Sequence, residues 1–176
     1  MGRYRNSWGQ KPFCFSNRRS QVYFTASHSL PEVILWAGFI SGSLDLFAAC
    51  TFGAIRGITP SRLLRTIASA LIGPKAFREG RSAAALGLTL HFLIAFTVAT
   101  TYVVTSRYLT VLTEHPILSG LLYGAAVHLF MTFIVLPLSS MKRPFSMTFF
   151  LGQLVIHMLC VGLPISLVVK HFSQVA

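Results

Sequence analysis

Charge is scarce in this chain of 176 residues: only 11% are Asp, Glu, Lys or Arg, against about 25% in an average soluble domain. Too little charge remains to coat a wet globular surface, which argues against an ordinary soluble enzyme. Acid is scarcest of all. The four carboxylates, Glu32, Asp45, Glu79 and Glu114, are too few and too scattered for a paired-carboxylate site or an acidic calcium cage. Cysteine is nearly as rare. Cys14, Cys50 and Cys160 form an odd set with two members inside apolar runs, so no disulfide framework is implied. The sequence also has no Walker A loop, no G-x-S-x-G, no H-E-x-x-H and no G-x-G-x-x-G. Haem attachment of the c type is excluded by the lack of C-x-x-C-H.

Apolar residues fill the space that charge leaves, at 53% of the chain. A helix needs about 20 mostly apolar residues to cross a bilayer, and four segments have that length: 33–55, 83–105, 117–138 and 147–169. Within them stand one acid (Asp45), three histidines (His91, His128, His157), one Gln (Gln153) and no Lys or Arg. The expected fold is all-α, a polytopic membrane protein built as a four-transmembrane-helix bundle. Pro116 and Pro144 precede spans, where proline costs a helix little; Pro137 and Pro164 are expected to bend or stop their helices near the ends.

Short basic segments connect the spans. A tail, residues 1–32, mixes Arg3, Arg5, Lys11, Arg18 and Arg19 with Tyr4, Trp8, Phe13, Phe15, Tyr23 and Phe24; the first expectation is a poorly ordered tail, the alternative a contact with anionic headgroups, with nucleic acid less favoured. After the first span, Thr59-Pro60 provides an N-cap and a first helical residue. Leu63, Leu64, Ile67, Ala68 and Leu71 then recur at helical spacing, with Arg62, Arg65, Thr66 and Ser69 on the other face, until Gly73-Pro74. This predicts one short amphipathic interfacial helix over 60–72, with Arg62 and Arg65 at the membrane surface. Residues 33–170 form the membrane domain and 171–176 a short tail. Basic residues divide 7 to 8 between the two faces, the larger number on the side of the first loop, which is expected to be cytoplasmic. A lipoprotein signal ending at Phe47-Ala48-Ala49-Cys50 is disfavoured by Asp45 in the apolar run, by the large Phe47 and by the length. Tyr102, Tyr108, Tyr123 and Trp36 are expected as interfacial aromatics, and His28, His115 and His171 as solvent-facing.

The intramembrane ionisable residues share a depth. At about 1.5 Å of rise per residue, Asp45 is ten residues from Ile55, His91 eight from Ala83, His128 ten from Leu138 and His157 ten from Met147. Counted from the face of the first loop, all four lie about 12–15 Å into a core about 30 Å thick. Small residues share their stripes: Gly38 and Gly42 with Asp45, Gly87 with His91, and Gly120 and Gly124 with His128. Small residues four apart let helices approach closely in lipid, so the polar groups are expected to face the bundle interior.

Three readings of this layer stand side by side. Asp45, protonated or paired with an imidazole, and the histidines could be glue between helices. They could relay protons or bind an ion. They could also hold zinc or haem in a redox or metal site. The corresponding functions are a transport-related or accessory membrane protein, a structural subunit of a larger membrane complex, and a haem- or metal-binding membrane protein, with enzymatic activity the less favoured outcome. The expected partners are a bilayer with anionic headgroups and either a homo-oligomer or a larger membrane complex, with no nucleic acid.

From Val33 to Lys170 the chain resembles the YagU-like group of bacterial inner-membrane proteins. The resemblance is carried by the Gly-rich first span, His91-Phe92 with Ala95 and Tyr102, Gly120-Leu121-Leu122 with His128-Leu129 and Pro137-Leu138, and His157. This chain departs from the group in its longer basic tail and its shorter, more basic first loop without cysteines. The resemblance implies a bacterial plasma-membrane location and a helical bundle, and implies no reaction.

Overall fold

The computed structural model describes residues 29–140 and 146–174. Most of the basic tail, including His28 and Cys14, and the Lys142-Arg143 turn lie outside the described residues. In chain order the helices are α1 (Leu30–Ile55), α2 (Pro60–Ile72), α3 (Arg81–Ser106), α4 (Val111–Glu114), α5 (Pro116–Leu138) and α6 (Met147–Ser173). Among the described residues α1, α3, α5 and α6 are long and apolar enough to cross a membrane. The chain is an all-α, multi-pass membrane protein.

The helix boundaries have local causes. α1 begins three residues before the apolar run, because Pro31 is tolerated in a first turn and Glu32 lies at the positive end of the helix dipole. The Thr59 hydroxyl accepts the Arg62 amide at 3.3 Å and starts α2 at Pro60. Gly73, at φ +64°, ends it in a backbone conformation that a side chain would resist. This is the 60–72 helix the periodicity predicts.

Helix α1 packs along both α3 and α6, and α5 packs along α6. α3 and α5 approach at the end where α1 begins and α6 ends, where the Tyr102 and Tyr123 rings meet edge to face at 4.9 Å. These tyrosines correct the sequence reading. Tyr102 is fully buried and donates to the Leu112 carbonyl at 3.0 Å, within 3.1 Å of the Ser119 hydroxyl, while Tyr123 donates to the Val98 carbonyl at 2.8 Å. They brace the interior because phenol hydroxyls find carbonyls that apolar rings cannot use. Tyr108 and Trp36 are exposed. His115 and His171 are also exposed, as expected.

A dry core of Val33, Ala37, Ala99, Tyr102, Val103, Val161, Ile165 and Val169 fills the end where α1 begins and α6 ends. At the other end Ala68 of α2 packs with Ala76 and Ala83. α2 is seated against α3: a side chain at Gly87 would collide with the Leu64 carbonyl. Gly87 therefore makes room for α2, where the sequence pattern had it joining two spans.

Two π turns interrupt the long helices, Met131–Val135 in α5 and His157–Gly162 in α6. Each ends two residues before a proline, Pro137 and Pro164. A proline ring clashes with the carbonyl four residues back and donates no hydrogen bond, and a widened turn is a common accommodation within a continuing helix. α5 stops just after Pro137, as expected, but α6 continues past Pro164 to Ser173.

Candidate functional site: a cavity between the spans

A cavity of about 130 Å³ lies where the dry core ends. α1 contributes Ser41, Gly42 and Asp45, α3 contributes His91 and Ala95, and α6 contributes His157 and Val161. Ile94 and Val98 of α3, Val127 and Met131 of α5 and Ile67 of α2 also line this partly open space. Three of the four ionisable residues assigned to one depth thus line one space, drawn from three different helices.

Close helix approach builds this geometry. A Cβ at Gly42 would lie 3.0 Å from the Ala95 Cβ, and one at Gly38 would enter the Phe96 ring. α1 and α3 therefore sit near enough for the His91 Nε2 to reach the Gly42 carbonyl at 2.8 Å. On the other side Gly124 abuts the His157 carbonyl and the Met158 Cα, and Gly120 abuts Ser166 and Gly162. Gly162 is the partner the sequence pattern missed: its own absent Cβ leaves room for the Gly120 carbonyl. Gly152, four residues before Ile156 on the same helix, faces the Phe52 ring instead.

The two cavity imidazoles are each held by a backbone carbonyl. Carbonyl oxygen only accepts, so the nitrogen that meets it carries the proton. His91 donates from Nε2 to Gly42, and His157 donates from Nδ1 to the Gln153 carbonyl at 2.8 Å. In its neutral form each ring is left with a lone pair on the other nitrogen. Asp45 Oδ1 is buried and makes no hydrogen bond. The histidines thus direct these N–H groups to main-chain carbonyls, where the sequence suggested pairing with Asp45.

His128 is the fourth member and stands behind the others. It is 5% exposed, its ring centroid is 5.0 Å from that of His157 and 4.9 Å from that of Phe150, and its Nε2 is buried without a partner. It does not line the cavity. Cys50 and Cys160 are half-buried free thiols. Among the described residues no three His, Cys, Asp or Glu side chains converge closely enough to hold a metal ion, so the zinc-type arrangement of three histidines and Asp45 is not formed.

Of the two surface arginines, Arg62 is exposed and Arg65 is half-buried, its Nε donating back to the Ser61 carbonyl at 3.3 Å. Both belong to the helix whose Ile67 closes the cavity. No family model, curated protein or solved structure matches the chain.

Proposed function

We propose that this is a transport-related or accessory protein of the bacterial plasma membrane, in which the cavity between the spans takes up a proton or a small cation. The observation that carries the reading is one cavity holding Asp45 with an unpartnered buried oxygen, beside two imidazoles whose N–H groups are already engaged by carbonyls. A carboxylate oxygen buried without a partner is costly in a low-dielectric interior. Binding of a proton or cation at that oxygen would offset the cost. The plasma-membrane location rests on the YagU-like resemblance, and the cytoplasmic placement of α2 on its basic face.

Reconstitution in liposomes tests the reading. Asp45→Asn, His91→Gln and His157→Gln, made one at a time, are expected to lower proton or monovalent-cation flux, with Asp45→Asn the most severe. Unchanged flux in all three variants would refute the proposal.

A further inference from the structure

The dimensions and lining of the cavity define its occupant more narrowly. We propose that the cavity binds a small aliphatic ammonium ion, a primary alkylamine in its protonated form, with the nitrogen at Asp45 and the alkyl chain along Ile67, Ile94, Val98, Val127 and Met131. This deepens the reading above and rests on it.

Three observations converge. The first is volume: about 130 Å³ far exceeds the roughly 10–15 Å³ needed for one water and approaches the roughly 150 Å³ of a protein cavity that takes benzene. A bare alkali ion would leave most of the space empty, whereas about five non-hydrogen atoms fill it well. The second is the polar inventory. With the His91 Nε2 proton on Gly42 and the His157 Nδ1 proton on Gln153, the neutral rings have only acceptor nitrogens left, and ionised Asp45 only accepts. An alkylammonium has N–H donors and no acceptor, so it can meet the Asp45 carboxylate without adding an acceptor to this lining. An inorganic metal ion would instead need several ligands closing around one point, which these side chains do not form. The third is the remaining lining of this partly open cavity, which is apolar apart from Ser41, whose hydroxyl already donates to the Gly38 carbonyl. A mostly apolar pocket with a few placed polar groups is the usual construction of a small-molecule site.

The α2 helix supplies the size limit. Ile67 reaches the cavity from outside the four spans, on a helix whose backbone rests on Gly87. A bulkier side chain at 67 should shorten the pocket.

The test is calorimetric titration of the full-length protein in lipid nanodiscs, with empty nanodiscs as the blank. n-Butylammonium is the probe; n-butanol, ammonium and tetrabutylammonium are the comparisons. Expected are saturable binding of n-butylammonium, at least tenfold weaker binding of n-butanol, and no binding of tetrabutylammonium. Asp45→Asn should weaken n-butylammonium about 30-fold or more, as loss of one partner of a buried charge pair does. Ile67→Trp should abolish n-butylammonium binding. That variant decides the matter even where Asp45→Asn fails to fold. No saturable binding by the wild-type protein, or equal affinity in Ile67→Trp, overturns the proposal. If flux still depends on Asp45 when n-butylammonium does not bind, the cavity serves an inorganic ion or proton, and only this inference falls. If flux and binding are both absent, the proposed function falls with it.

Discussion

Replacing Gly124 with alanine tests whether the contact between α5 and α6 is as close as described. The added Cβ would meet the His157 carbonyl and lie 2.7 Å from the Met158 Cα. Both obstacles are backbone, so neither can rotate away, and α6 must retreat by at least about 0.7 Å for the Met158 Cα alone to reach ordinary contact at 3.4 Å. Inserting a methyl into a well-packed interior costs about 1–3 kcal/mol. Backbone against backbone belongs at the upper end, about 3 kcal/mol. Against this, alanine gains about 1 kcal/mol over glycine in a helix interior, leaving a net loss of about 2 kcal/mol. Gly53→Ala is the control. Its Cβ would lie 3.6 Å from the Ile58 Cβ, an ordinary contact, so only the propensity gain of about 0.5–1 kcal/mol remains. At about 2–4 °C per kcal/mol for a chain of this size, Gly124→Ala should unfold about 4–8 °C lower and Gly53→Ala about 1–4 °C higher than wild type. Thermal denaturation of the detergent-solubilised protein, followed by loss of the monodisperse peak, measures both. Equal midpoints, or the opposite order, would refute the close approach.

Three further outcomes are expected. Tyr123→Phe removes the donor to the Val98 carbonyl and should cost about 1 kcal/mol in the same assay, while Tyr108→Phe, on an exposed ring, should cost nothing measurable. Thr59→Ala deletes the cap of α2 and should destabilise that helix by about 1 kcal/mol, seen as faster amide exchange over 60–72 with little change in α5. Arg62→Gln should reduce the stabilisation that anionic lipid gives over zwitterionic lipid by about 1 kcal/mol; an equal response to both lipids in wild type would remove the case for a headgroup contact.

How much of this was legible in the sequence depends on which residues carried a one-dimensional signal. The spans were readable because a bilayer demands an uninterrupted apolar length, and α2 because Thr59, Pro60 and Gly73 punctuate it. The orientation of the spans was harder to read. Their helices are apolar on nearly every side, so hydrophobicity marks no inward face, and only the glycine stripes and ionisable residues did. Those identified Gly42, Gly120, Gly124, Asp45, His91 and His157 as interior. Gly87 was read as inward too, but a glycine reports that something comes close without saying what, and here it is α2. Gly162 and the π turns escaped because a period of 3.6 was assumed through Pro164. The proline was the available signal, and it marked the turn preceding it more than the helix end. Tyr102 and Tyr123 were misplaced because their hydroxyls find carbonyls in the folded bundle, at Leu112 and Val98, that have no signature in their own neighbourhood.

The π turn at 157–162 also changes how sequence length maps onto direction. A residue added to an α-helix turns everything after it by about 100° while moving it only about 1.5 Å, and a widened turn absorbs such a residue without breaking the helix. In α6 the turn lies between the part that presents His157 to the cavity and the part that sets Ile165 and Val169 in the dry core. The two halves of one helix thereby answer to two different environments, with their angular offset set locally by six residues. Insertions and deletions at this point act as a rotary adjustment between site and core, whereas elsewhere in the bundle they would misalign both.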